Sequence, residues 1–508
     1  MIHALLVATL LVIALAYAAI KVIDHRAKMR FKPVDPSQTK QIPTAGVMGL
    51  LRFLFVAPFS KENKDVNIHH NHHNNFHRLN TDQGIFHSFF GPLDSVIVVD
   101  PDAIKKVVLN DRVFPKLDIL RNKLVPINRM LGDNLVFLNG KDWKQHRHII
   151  NPAFYDISKF VGRFDKHIDT TLEILARQEV NNVSEAMTNM AVDILGETVL
   201  GHDLGAQEGR IDTILKSYNL LVSGSSDFVR FMFPSVNMIP SKFNQEFDYH
   251  LSKLNEFVYK IIDEAKIKNK KLLKDEQEHE EPTLLDLMIQ SQLCEKDFAM
   301  DDKMLRDNAV VFFVAGHETT ASALCFALYQ LSQHPEAQQR LYDEIIDITE
   351  GQGDLTIEKL ASMDYLDAVI KETLRLHPPI NILDRVAHED TVLCGYKIPK
   401  GTVVTVGVYT SQTCEKYYGP TAREFRPERW LEQNGKDIHR FAHVPFGAGA
   451  RVCLGNNFSL VEQKLFLVKL LTKFMLKPDP KYPRLQYKRA PILMNISEDF
   501  TLRFVQRD

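Results

Sequence analysis

The chain has 508 residues, of which 45% are hydrophobic and 25% charged, and its formal net charge is −2. Those values exclude a disordered or fibrous chain and leave no cationic surplus with which to hold nucleic acid. Length alone argues for about three domains, but no internal repeat or low-complexity linker divides the sequence, and one large domain over residues 44–508 is expected. The five cysteines, Cys294, Cys325, Cys394, Cys414 and Cys453, are odd in number and scattered, which fits a reducing compartment better than a disulfide framework.

At the N-terminus an apolar run from Ala4 to Ile20 would span about 26 Å as a helix, just enough for a bilayer. Lys21, His25, Arg26, Lys28, Arg30 and Lys32 follow it, and no lysine or arginine precedes it. The positive-inside rule then leaves the rest of the chain on the cytoplasmic side. Residues 1–30 therefore read as a single N-terminal transmembrane helix with a basic flank. The competing reading is a cleaved signal peptide ending near Ala16-Tyr17-Ala18, against which stands the missing basic leader. Asn182, Asn457 and Asn495 open N-x-S sequons, which cytoplasmic placement leaves unmodified. Residues 31–43 are polar with Pro33, Pro36 and Pro43 and read as an irregular tether.

His69, His70, His72, His73 and His77 sit among asparagines. His69 and His73 could share a helix face and a metal, yet no acid or thiol is placed to complete the shell, and a solvated stretch is the simpler reading. Ile85–Phe90 and Ser95–Asp100 flank Gly91-Pro92 as a β-hairpin, and Pro101-Asp102 starts a helix. Trp143 and Arg147 stand four apart, which on a helix turns an indole N–H and a guanidinium to one face, two donors suited to carboxylates. A core Trp beside a surface Arg explains the pair as well. Lys141, Lys144, His146 and His148 make this segment basic, as a solvated face or as a docking surface for an acidic partner. Residues 154–282 carry helical spacing, as in Ile168, Leu172 and Leu175 or Leu254, Val258, Ile261 and Ile262. The apolar interruption Phe228–Pro234 reads as a buried turn or as a surface that dips into lipid, and Lys266–Glu281 as an exposed charged loop.

Asn308–Leu331 reads as one long helix containing Ala315-Gly316-His317-Glu318-Thr319-Thr320. Glycine costs a helix interior about 1 kcal/mol relative to alanine, and a threonine hydroxyl bonded to the carbonyl four residues back, here Ala315, bends it. A local opening beside an acid–alcohol pair is therefore expected, with an exposed polar patch as the plainer alternative. Glu372 and Arg375 are spaced for an i,i+3 ion pair; Pro378-Pro379 and Pro427-Glu428-Arg429 follow. In Phe446-Gly447-Ala448-Gly449-Ala450-Arg451-Val452-Cys453-Leu454-Gly455 the glycines free the backbone to turn or to pass close to a flat group. Cys453 precedes a helical pattern through Phe458, Val461, Leu465, Phe466 and Val468, whose unpaired N–H groups would favour a thiolate. No other cysteine lies near it, so a lone thiolate on haem iron fits better than a zinc or iron–sulfur site; a buried small hydrophobe is the ordinary use of such a residue.

Phe446, Gly449, Arg451, Cys453 and Gly455 fall at the spacing F-x-x-G-x-R-x-C-x-G. Before them, in order, stand W-x-x-x-R at Trp143–Arg147, A-G-x-E-T at Ala315–Thr319, E-x-x-R at Glu372–Arg375 and P-E-R at Pro427–Arg429. With the apolar N-terminus, this ordered set resembles a eukaryotic microsomal cytochrome P-450 over nearly the whole chain. The resemblance implies a mainly α fold with a small β-rich region. It places haem b (iron protoporphyrin IX) between the Asn308–Leu331 helix and the helix after Cys453, with Cys453 as axial ligand of the iron. It further implies that Trp143, Arg147, Arg385 and Arg451 bind the propionates, that Ala315 lies at the haem and Phe446 shields the sulfur, that Glu318 and Thr319 deliver protons, and that Glu372, Arg375 and Arg429 form a structural triad. One ω-hydroxylating branch has Glu where this chain has Ala315, so the covalent haem bond made there has no counterpart here.

The reaction so implied inserts one oxygen atom from O2 into a lipophilic substrate. Electrons come from NADPH through NADPH-cytochrome P-450 reductase, with a cytochrome b-type protein as a further candidate donor. The catalytic domain is held on the cytoplasmic side of the endoplasmic reticulum membrane. Phe312, Phe313, Ala315 and Ile382 are expected to line the substrate pocket, whose occupant stays open among fatty acid, steroid, terpenoid and xenobiotic. A haem-thiolate isomerase or peroxide-using enzyme, and a haem-binding protein without turnover, also stay open. The chain departs from the family at Gln412-Thr413-Cys414-Glu415, where a His-Arg-Asp run is usual, and in its sparse proline tether.

Overall fold

The computed structural model describes residues 30–34, 83–90, 93–225, 230, 233–275, 281–294, 299–350, 355–431, 437–488 and 493–507. The expected transmembrane run, most of the tether, the histidine-rich stretch 69–77 and most of Phe228–Pro234 lie outside the described residues. Two compact units interleave along the chain. One comprises Met1–Leu117, Asn381–Ala422 and Ile438–Arg451; the other comprises Asp118–Ile380, Arg423–Asp437 and Val452–Asp508.

The first unit is built on a four-stranded sheet. Ile85–Phe90 and Leu93–Val98 pair antiparallel as the expected hairpin, with Ile85 opposite Val98. Leu93–Val98 then runs parallel to Val403–Gly407, which pairs antiparallel with Ile382–Val386. Successive side chains on a strand point to opposite faces, and both faces here are apolar. Ile85, Val96 and Val98 enter one core with Ile104, Val107, Val404 and Val406, whereas Phe86, Ile97 and Val99 enter another with Cys414. Covered on both sides, Val403–Gly407 is buried at every position, with valine at three of its five, as suits a two-sided strand. The helix Pro101–Leu109 begins where expected, because the Asp100 carboxylate accepts from the N–H groups of Asp102 and Ala103, each at 3.1 Å.

The second unit is helical. Its principal elements are the helices Gly140–Ile150, Val161–Leu175, Val183–Leu195, Asp212–Ser225, Lys242–Lys274, Asp302–Gln333, Asp364–Leu376 and Asn456–Lys473. A three-stranded sheet of Val180–Asn182, Thr501–Gln506 and Phe474–Pro478 accompanies them. The expected loop at Lys266–Glu281 is in its first half helix: Lys242–Lys274 continues through it, and Lys266 pairs with Asp302. Charge alone did not end the helix, because lysine is a good helix former and no proline or glycine interrupts the run.

Asp302–Gln333, the long helix, extends beyond its expected bounds at both ends and is capped by Asp301, whose side chain accepts from the Met304 N–H at 2.7 Å. It is the one described helix long and apolar enough to cross a bilayer, yet 67% of its most apolar window is buried inside the protein, as befits a core helix. The expected opening at Gly316 is not a break, since the helix stays α throughout. Glycine is needed there for another reason: a Cβ at 316 would come 2.7 Å from Leu195 Cδ1 on Val183–Leu195. Replacing Gly316 by Val should therefore lower stability by about 2 kcal/mol or more through overpacking, and Leu195→Ala should return part of it. A denaturant midpoint series on the four proteins of this cycle measures the coupling, and simple additivity would refute the contact as the cause.

Candidate functional site

Cys453 lies just before the helix Asn456–Lys473 in the second unit. Its side chain keeps an accessible face, yet burial pushes its thiol up, opposed by a hydrogen bond from the Gly455 N–H and by the Arg147 guanidinium. A sulfur that is reachable but starved of bulk water faces an internal space rather than the outer surface. Arg147 is itself held down by burial and lifted by Cys453 and Tyr155. Trp143, one turn earlier on Gly140–Ile150, is buried.

The same unit brings the long helix to the start of the Cys453 helix: Thr320 Oγ1 and Ser459 Oγ lie 3.0 Å apart. Along the long helix Phe312, Ala315, Gly316 and Thr319 recur at helical spacing and are half-buried or exposed, while Val311, Phe313, His317 and Thr320 around them are buried. An alanine exposed midway along a core helix means that this face borders an open space. Thr319 Oγ1 donates to the Ala315 carbonyl at 2.7 Å, the back-bond expected from sequence. Glu318 follows as a half-buried residue whose Oε2 is buried without a hydrogen-bond partner. Phe313 turns away from this face into a small apolar cavity with Leu200, Leu254, Phe257 and Val310. Of the expected pocket residues, then, Phe312 and Ala315 share the open face and Phe313 does not. Ile382 belongs to the first unit, half-buried at the start of Ile382–Val386.

Glu372, Arg375 and Arg429 do come together. The Glu372 carboxylate, fully buried, accepts from Arg375 Nε and Nη2 at 2.8 Å each and from Arg429 Nε at 3.3 Å. Two partners escaped the sequence reading: Trp430 Nε1 donates to Oε2 and the Arg426 N–H to Oε1, both at 3.0 Å. Arg375 also reaches the Glu424 carbonyl at 3.0 Å. Arginine suits the place because its planar fork meets a carboxylate at two points without rearrangement.

The first unit gathers cations. The backbone of Val113 and Pro115 accepts from His388 and Val386 N–H at 2.8 and 3.0 Å, which carries Lys116 to the end of the strand that bears Arg385. Burial holds the Lys116 ammonium well below its ordinary range, Arg385 and Arg451 push it further down, and Asp384 opposes them. Burial also raises the Asp384 carboxyl, which accepts from Thr405 Oγ1 at 2.6 Å, and Asp384 and Asp111 both act on the Arg385 guanidinium. Lysine and arginine side chains gathered in this way are donors suited to carboxylates. Lys116 carried no motif and was invisible in the sequence. Arg451 ends the turn Gly449–Arg451, and Gly449 is held at φ +70° with Val108 O only 2.6 Å from where a Cβ would stand. Phe446 is half-buried in the preceding turn, closed by the Gly447 N–H on the Val444 carbonyl at 2.9 Å. Each unit by itself holds a residue chemistry that suits haem, a flat group with one soft-ligand site and two carboxylates: the second an open-faced thiol, the first a group of bases.

Comparison with known proteins points the same way. The family described as Cytochrome P-450 matches residues 54–504. The chain is 31% identical over 418 residues to cytochrome P-450 4d2 of Drosophila melanogaster, covering 77% of this chain and 80% of that one. It is 30% identical to cytochrome P-450 3A12 of Canis lupus familiaris, covering 75% and 76%, and 29% identical to cyclooctat-9-en-7-ol 5-monooxygenase of Streptomyces melanosporofaciens, covering 77% and 82%. The crystal structure of a mutant cytochrome P-450DA heme domain shares the fold, with a TM-score of 0.75 at 23% identity over 87% of this chain and 93% of that one.

Two buried carboxyl groups give opposite tests. Glu372→Ala strands two buried guanidiniums and should cost about 3–5 kcal/mol, seen as a lowered denaturation midpoint with loss of bound haem. Glu462, on the Asn456–Lys473 helix, is buried with Oε1 unpartnered, and burial pushes its carboxyl from 4.5 up to about 8. The folded protein therefore holds a proton that the unfolded chain releases. Its stabilising effect is complete below pH 4.5 and is lost as pH rises toward about 8, at most by about 1.4 kcal/mol per unit. Denaturation midpoints against pH should flatten over this window in Glu462→Gln; an unchanged slope would show that the side chain is ionised in the native state.

Proposed function

We propose, from the premise that this chain belongs to the cytochrome P-450 family and is a haem-dependent monooxygenase, that Cys453 supplies the axial thiolate. Trp143, Arg147, Arg385 and Arg451 would bind the propionates, and Lys116 joins them. Haem, when bound, supplies the activation of O2. The observation that carries the assignment is the open face of Cys453 inside protein density, beside Arg147 and at the start of a helix.

The residues around that centre divide the remaining work. Phe446 covers the sulfur and excludes water from it, Ala315 leaves room on the long helix for the flat group, and the triad Glu372, Arg375 and Arg429 braces the chain that leads into the Cys453 loop. Oxidising a substrate C–H to C–OH with one O2 consumes two electrons and two protons and releases one water. Thr319 holds the oxygen being reduced, and Glu318 brings protons from bulk water; its unpartnered Oε2 and the threonine back-bond support that pairing. The electrons come from NADPH through NADPH-cytochrome P-450 reductase, with a cytochrome b-type protein as a second donor to test. The substrate is a lipophilic small molecule lying against Phe312, Ala315 and Ile382, with Phe313 behind the helix surface.

Residues 1–30 anchor the chain in the endoplasmic reticulum membrane, 31–43 tether it, and 44–508 form the catalytic domain on the cytoplasmic side. Support for lipid contact comes from Phe233, Met238 and Ile239, which are 62%, 70% and 57% exposed on adjoining turns.

Absorption spectroscopy of the dithionite-reduced protein with carbon monoxide tests the ligand. A strongly red-shifted Soret band is expected in the parent and should vanish in Cys453→Ala; a variant that keeps the band removes Cys453 from the iron. With reductase and NADPH, Thr319→Ala should divert several-fold more consumed oxygen to hydrogen peroxide, and an unchanged yield would free Thr319 of the role given to it.

A further inference from the structure

The helix Asp212–Ser225 presses Tyr218 into the core of the second unit, where the side chain is 1% exposed. Its ring stands edge-on to Phe313, with centroids 5.9 Å apart, and to His317 at 5.1 Å. Both belong to the long helix, and His317 directly precedes Glu318. The Tyr218 hydroxyl and Glu318 Oε2 are both buried, and neither makes a hydrogen bond of ordinary geometry. Yet the two groups act on each other: after burial itself, the charge of the Glu318 carboxyl and its hydrogen-bonding approach to the hydroxyl raise the Tyr218 phenol well above its ordinary range.

A buried hydroxyl without a partner is uncommon, because it forfeits its bonds to water and gains none. Phenylalanine would fill the same volume without that loss, so the oxygen of Tyr218 is what needs a reason. A phenol O–H is a donor and a carboxylate an acceptor; a small side-chain rotation, or one bridging water, closes the bond and satisfies both orphaned atoms. Two groups nearby bond elsewhere. His317 Nδ1 is taken by the Phe313 carbonyl at 2.6 Å, and Ser217 Oγ meets His250 Nδ1 at 3.0 Å.

We infer that the Tyr218 hydroxyl is a positioning group that docks the Glu318 carboxyl on the inner flank of the long helix, so that each proton delivery requires this hold to be released and remade. The inference rests on the reading of Glu318 as the proton carrier. It assigns to Asp212–Ser225, a helix that none of the motifs touches, a part in the timing of the reaction: loosening that helix frees the acid, and seating it parks the acid.

The test uses the haem-loaded full chain as parent, Tyr218→Phe, Glu318→Gln and the double variant, with two readouts. One is the infrared carboxylate stretching band that Glu318→Gln deletes. The other is the fraction of consumed oxygen released as hydrogen peroxide rather than water, with reductase, NADPH and dodecanoic acid as the lipophilic probe. Tyr218→Phe should shift the Glu318 band and change the peroxide fraction several-fold, while leaving the reduced carbon monoxide spectrum and the melting temperature near those of the parent. The double variant should match Glu318→Gln alone. A band that stays in place in Tyr218→Phe, or effects of the two substitutions that multiply, would overturn the inference. A peroxide fraction unmoved by Glu318→Gln would instead overturn the proton-carrier reading, and the band position would still report whether the two groups meet.

Discussion

A core helix that must be packed on most sides and left open on one governs the second unit. The long helix is apolar enough to pass for a membrane span, and burial of most of its surface is what holds the helices around it. Along Phe312, Ala315, Gly316 and Thr319 it gives that burial up. Small residues make both conditions compatible: Gly316 lets Leu195 approach, and Ala315 leaves its own face clear. The threonine back-bond satisfies a hydroxyl within the helix, so the open face does not depend on a partner from elsewhere.

Buried charges are arranged in a different way in each unit. Glu372 is enclosed by donors until its carboxylate needs nothing more, which makes the cluster rigid and chemically quiet. In the first unit Lys116 is buried beside two further bases, Arg385 and Arg451, which push its ammonium down while Asp384 opposes them.

Sequence revealed the residues whose spacing is itself the signal. The hairpin, the helix start at Pro101, the Glu372–Arg375 pair and the helix after Cys453 were legible because each rests on local periodicity or on a fixed offset. What stayed hidden depends on tertiary neighbours. Lys116 joins the cation cluster only because the backbone around Pro115 pairs with the Arg385 strand. Tyr218, buried against His317, looks in sequence like any apolar position of an amphipathic helix. The division into two units left no mark, because each is assembled from three separate stretches rather than separated by a linker. Gly316 was visible, but its cause was misplaced: a packing contact with Leu195 and not a break in the helix.

The departure at Gln412 has a chemical consequence. Its side chain is fully buried and its Oε1 accepts from the Val444 N–H at 3.0 Å, fastening the segment that runs into the Phe446 turn. Where the family usually places an imidazole in this run, the chain has an amide. An amide neither gains nor loses a proton across the physiological range, so this clasp carries no charge in any compartment the protein visits, and acidification cannot undo it.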